Sequence, residues 1–154
     1  MRTDRHATAL PPGLAPELRA ELEAILPGER LLTRPLDLIA HASDASVYRL
    51  IPRAVVRPTT IADVQGLFRF SRAHDVPLVF RAAGTSLSGQ AVTDGVLADL
   101  SRHWREVEIL DQGRRVRVAP GVVGGFVNRM LQPLGARLGP DPASINAWPA
   151  TRST

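Results

Sequence analysis

The chain has 154 residues, 44% hydrophobic and 22% charged, with no Cys, so it holds one domain, or one domain plus a short extension, of ordinary globular composition. This excludes collagenous, coiled-coil and wholly disordered chains, disulfide frameworks and thiolate sites, and no apolar run approaches the ~20 residues of a membrane helix. The net charge of +4 comes with Arg and no Lys; the arginines are scattered among acids and aromatics are 5%, so neither a basic patch nor a stacking platform for nucleic acid is expected.

Residues 1–13 are polar, end in Pro11-Pro12-Gly13 and read as a mobile leader without a secretory signal. A cytoplasmic chain, at most peripheral to the inner membrane, is the expectation. Leu18, Leu22, Ile25 and Leu26 recur at helical spacing between Ala15 and Pro27-Gly28. A second short helix covers Leu36 to Ala42, and Ser43-Asp44-Ala45-Ser46 reads as a loop or cap. Ala54 to Arg57 is a short strand stopped by Pro58. Thr60 and Asp63 form a capping box for a helix with Ile61, Val64, Leu67 and Phe68 on its apolar face. His74-Asp75 ends that helix, and Pro77 to Phe80 is the next strand. Strand, helix and strand in about thirty residues make a βαβ unit, which predicts a parallel pair.

Val96 to Leu100 is a further strand. Val107 and Ile109 alternate with acids, Val116 and Val118 with arginines, and Asp111-Gln112-Gly113 joins the two runs as a hairpin. The hairpin makes the fold α+β: a small parallel βαβ unit followed by a mixed or antiparallel sheet. Val122 to Leu134 is a helix with Val123, Phe126, Val127, Met130 and Leu134 inward, weakened by Gly124-Gly125 and capped by Gly135.

The segment that carries chemistry is Arg81-Ala82-Ala83-Gly84-Thr85-Ser86-Leu87-Ser88-Gly89-Gln90. Small side chains let backbone N–H groups approach an anion closely, and Thr85, Ser86 and Ser88 add hydroxyls; a diphosphate suits that many short-range donors. The segment matches neither the P-loop nor the dinucleotide fingerprint. Taken alone it reads equally as a Gly/Ser turn between strands.

Four segments occur in order: Asp44 to Arg49, Pro52 to Pro58, Phe80 to Gln90, and Gly139-Pro140-Asp141-Pro142-Ala143-Ser144. Together they resemble the N-terminal FAD-binding domain of the FAD-linked oxidases, the vanillyl-alcohol oxidase or PCMH-type flavoproteins. The D-lactate, glycolate and D-2-hydroxyglutarate dehydrogenase branch looks most similar. The resemblance covers Leu36 to Ala147, and so divides the chain into a leader and helix (1–35) and an incomplete FAD-binding domain (36–154).

The resemblance implies that amides around Ala83, Gly84, Thr85, Ser86 and Leu87 hold the FAD diphosphate, with Ser88, Gly89 and Gln90 finishing the turn. It places Pro58 near the adenine end, Arg81 and Ala82 at the start of the phosphate loop, and Gly139, Pro140, Asp141, Pro142, Ala143 and Ser144 beside the ribityl chain and flavin ring. With no Cys, and no His in either loop, it implies non-covalent FAD. The implied parent enzyme oxidises a 2-hydroxy acid, passing hydride to flavin N5 and electrons to an acceptor. After Ala147 the family pattern is lost, so the chain reads as truncated. The substrate is then expected to bind only in the complete enzyme or with a partner subunit supplying the remainder, no catalytic residue is carried over, and the chain alone is expected to be inactive.

Other residues have plainer readings. His6, His41, His74 and His103 share no metal-ligand spacing. Asp44 and Asp141 read as a loop cap and a turn residue, Tyr48 as a cofactor edge or a core residue, and Arg81 as a diphosphate contact or a solvated strand end. The alternative for the whole is a basic, non-catalytic binding module or an inactive truncated product.

Overall fold

The computed structural model describes residues 12–140 and 142–146; the leader up to Pro11, Asp141 and the stretch from Ala147 lie outside the described residues. Ten regular elements follow one another: α1 (Pro16–Ile25), β1 (Leu31–Leu32), α2 (Pro35–Ala40), β2 (Ala54–Val56), α3 (Ile61–His74), β3 (Leu78–Arg81), β4 (Val96–Asp99), β5 (Val107–Leu110), β6 (Arg115–Val118) and α4 (Gly124–Leu131).

The local chemistry of α3 is as expected. Thr60 accepts from the Asp63 amide at 3.1 Å, and the Asp63 carboxylate accepts from the Thr60 amide at 3.1 Å and the Thr59 amide at 2.8 Å. Arg30 adds an ion pair to the same carboxylate at 2.6 Å, which ties the turn before β1 to this cap. Asp75 closes the helix with a left-handed φ of 50°.

Four strands form one sheet in the order β1-β2-β4-β3, with β1 antiparallel and the rest parallel. β2 and β3 run parallel, as the βαβ unit implies, but they are not neighbours, because β4 lies between them. The reason is burial. Val96, Leu97 and Ala98 are at most 1% exposed, and a strand apolar on both faces is most stable where both faces and both edges are covered.

Register sorts the residues onto two faces. Ala54, Val56, Val96 and Ala98 pack on one face under α1 and α3, with Leu22, Leu26, Leu67 and Phe70. Val55 and Leu97 pack on the other under Leu38 of α2. Each fully buried Leu or Phe stabilises the fold by about 1.5–3 kcal/mol relative to exposure, so the first helix is an integral wall of this core.

The hairpin forms as read, pairing Val107 with Val118 and Ile109 with Val116. The helix after it differs. Its buried residues are Gly125, Val127 and Leu131, whereas Phe126 and Leu134 are 40% and 48% exposed. The two glycines turn inward because residues 145–146 lie against them: the Gly125 amide donates to the Ile145 carbonyl at 2.8 Å. A Cβ on Gly125 would stand 2.0 Å from Asn146 Oδ1.

Candidate functional site

The site lies at the carboxyl ends of the parallel strands, where open α/β sheets bind their ligands. β3 feeds directly into the small-residue loop. Two glycines set that loop's path: Gly84 has φ +68° and Gly89 φ +73°, conformations that other L-residues rarely adopt. The Gly84 carbonyl accepts from the Ala45 amide at 3.0 Å. Asp44 reaches the far end of the loop, accepting from the Ala91 amide at 3.2 Å, and also caps Ser46. The hydrogen bond from the Ser46 hydroxyl is the main reason the Asp44 carboxyl sits below its ordinary range.

The donors then divide. Ser86 Oγ accepts from the amides of Ser88 at 3.2 Å and Gln90 at 3.0 Å, closing the turn. The amides of Ala83, Gly84, Thr85, Ser86 and Leu87 have no acceptor among the described residues. Five consecutive N–H groups without a partner among the described residues form a place for an anion.

A cavity of about 290 Å³ opens beside them, at the lower edge of the size of small-molecule sites. Ala82, Ala83 and Thr85 line it from the loop, and Ser101 from the exit of β4. Gly121, Val122, Val123 and Gly124 line it from the approach to α4, and Leu138, Pro140, Pro142, Ser144 and Ile145 from the last described segment. Close backbone approach builds this wall: a Cβ on Gly121 would stand 2.4 Å from the Leu100 carbonyl.

Behind the cavity Asp99 ends the central strand, its side chain 8% exposed. Ser101 donates to it from Oγ at 2.6 Å and from its amide at 3.0 Å. Arg57 Nε stands 3.4 Å away and His41 Nε2 3.8 Å away. Burial alone pushes this carboxyl up, but the nearby His41 ring, the hydrogen bonds from Ser101 and the Arg57 charge outweigh it and hold the group far below the carboxylate range.

Comparison with known proteins gives this geometry a family. A profile described as FAD binding domain matches residues 52–149. The chain belongs to the FAD-binding domain family. It is 37% identical to D-2-hydroxyglutarate dehydrogenase of Pantoea ananatis over 114 residues, 71% of this chain and 11% of that protein. It is 34% identical to glycolate oxidase subunit GlcD of Escherichia coli over 122 residues, 77% of this chain and 24% of the subunit. The chain therefore spans from about a tenth to a quarter of the length of these relatives. Among solved structures it superposes on alkyldihydroxyacetonephosphate synthase with a TM-score of 0.75 at 22% identity, covering 92% of this chain and 29% of that one. It superposes on p-cresol methylhydroxylase with a TM-score of 0.64 at 20% identity, covering 77% of this chain and 24% of that one. The fold is the PCMH-type FAD-binding fold, and FAD is the ligand of this domain in flavin oxidoreductases related to these enzymes.

Of the residues read from the sequence, Ala82, Ala83, Thr85, Pro140, Pro142 and Ser144 meet at the one cavity, although more than fifty positions separate the two segments. Gly84, Ser86 and Leu87 contribute unpartnered amides nearby. Ser88 and Gly89 line a separate hollow of about 230 Å³ with Tyr48, whose ring lies against Gly89 and is 58% exposed. Gly139 and Ala143 flank the cavity-lining prolines without lining it, and Asp141 lies outside the described residues. Pro58 is buried, and its carbonyl accepts from Trp104 Nε1 at 2.7 Å. Arg81 Nη1 donates to the carbonyls of His41 at 3.2 Å and Ser43 at 2.9 Å. Sequence reasoning missed Asp99, Ser101 and Gly121 to Gly124. An acid ending an otherwise apolar strand was the available signal for the first two.

Proposed function

We propose that this chain holds FAD non-covalently as the cofactor-binding part of a flavin-dependent oxidoreductase that oxidises a 2-hydroxy acid. The single observation that carries the reading is the run of amides from Ala83 to Leu87, without an acceptor among the described residues, beside a cavity that Pro140, Pro142 and Ser144 also line. Those donors and a cradle that requires glycine at positions 84 and 89 fit a diphosphate. In this reading the amides of residues 83–87 bind the diphosphate, Ser88 to Gln90 hold the turn, and Gly139 to Ser144 flank the ribityl chain and ring. Arg81 and Pro58 act through the backbone they fix, one by pinning the loop to residues 41–43 and the other by anchoring Trp104. The binding unit runs from residue 36, with the first helix packed against its sheet through Leu22.

Bound FAD supplies the redox chemistry, taking a hydride at N5 from the substrate α-carbon and yielding electrons to a separate acceptor. The chain's own residues bind and orient it and shield it from water. The names of the relatives support the substrate class, because glycolate and D-2-hydroxyglutarate are both α-hydroxy carboxylates. With no Cys in the chain and no His within residues 81–90 or 139–144, a non-covalent complex is the reading for attachment. Purified chain saturated with FAD should show a two-banded flavin spectrum and release all flavin on acid precipitation. A colourless chain sinks the FAD assignment, and flavin pelleting with protein sinks the non-covalent one.

A further inference from the structure

Ser101 and Asp99 stand outside every role assigned above. A serine hydroxyl carries one proton, and that of Ser101 is given to Asp99 at 2.6 Å. Its oxygen is left with lone pairs alone, so toward any other group Ser101 Oγ is an acceptor. The Asp99 carboxylate behind it is fixed from the other side by Arg57 and His41. Ser101 also lines the cavity together with Ala82, Ala83 and Thr85. The cavity thus pairs a loop of N–H donors with an acceptor backed by negative charge. Phosphate oxygens suit the loop and are disfavoured at Ser101.

We propose that Ser101 is a binding residue whose Oγ accepts a hydrogen bond from a sugar or polyol hydroxyl next to the diphosphate, with Asp99 as its positioning residue. The inference rests on the FAD reading. FAD carries such hydroxyls on both sides of the diphosphate, in the ribityl chain and in the adenosine ribose, and FMN and ADP separate the two.

The test uses the full chain. FAD, FMN and ADP affinities are measured for wild type, Ser101→Ala and Ser101→Thr by flavin fluorescence and competition, with thermal unfolding of each ligand-free protein. Ser101→Ala should weaken FAD about 10-fold, the scale of one hydrogen bond with charge assistance. Ser101→Thr, which keeps the hydroxyl, should restore binding to within about 3-fold. The same loss should appear for FMN or for ADP, whichever carries the hydroxyl, and not for the other. The matching deletion on the wild-type chain, comparing each half-ligand with its deoxy forms, gives the same reading even if Ser101→Ala fails to fold. FAD binding indifferent to Ser101→Ala, equal weakening in the folded Thr variant, or deoxy forms all binding as their parents overturns the inference alone. A wild-type chain that binds none of the three ligands overturns the FAD reading and this inference with it.

Discussion

Replacing Gly84 with Ala should damage the phosphate loop by two separable routes. At φ +68° an L-residue costs about 1–2 kcal/mol. The new methyl would also stand 2.6 Å from Arg81 Nη2 and 2.7 Å from Nε. That guanidinium is not free to swing away, because Nη1 donates to the carbonyls of His41 and Ser43. Displacing it forfeits two hydrogen bonds worth about 0.5–1.5 kcal/mol each. The sum is about 2–5 kcal/mol, a fall in Tm of roughly 4–20 °C for a domain of this size. Denaturant unfolding of wild type, Gly84→Ala, Arg81→Ala and the double variant separates the routes. In the Arg81→Ala background Gly84→Ala should cost only the conformational part, leaving a coupling energy of about 1–3 kcal/mol. Equal cost in both backgrounds would refute the steric argument, and no cost in either would refute the whole account of this loop.

The remaining expectations concern pH and packing. Folding lowers the proton affinity of Asp99, so the unfolded chain takes up the proton first on acidification; this stabilisation is complete above about pH 4 and is lost as pH falls further. Asp44 and Asp63 shift in the same direction and steepen the slope. Denaturation curves between about pH 6 and 3 should show Asp99→Asn less stable at neutral pH and flatter in acid; a slope equal to wild type would contradict the assignment. Gly121→Ala puts a methyl 2.4 Å from the Leu100 carbonyl and 2.5 Å from that of Trp104, both main chain. It should cost about 1–3 kcal/mol by overpacking, read as a lower Tm.

Local chemistry made much of the fold legible. The Thr60–Asp63 box, the Asp75 stop and the alternating hairpin are written in adjacent residues, and each formed where it was read. The position of β4 was not, because strand order is decided by competition among distant strands, and the burial of Val96 to Ala98 shows only once the sheet exists. The inward face of α4 was read only in part, Val127 being buried as expected and Phe126 and Leu134 not, for a related reason. Gly124 and Gly125 look like defects in a helix until the 145–146 segment is seen to occupy the space they leave. Half the cavity was legible as two small-residue segments, but Gly121 to Gly124 carry no local mark of a site, and Ser101 is marked only by the acid that ends the apolar strand before it.

The central claim is that the main-chain N–H groups of residues 83–87 grip the FAD diphosphate. Backbone amide NMR of the labelled chain during FAD titration tests it most directly. The account predicts saturable shifts at Ala83 through Leu87, reproduced in part by ADP, with Ser88 and Gln90 moving less because Ser86 already holds their amides. FAD that binds and leaves the 83–87 resonances in place would contradict it.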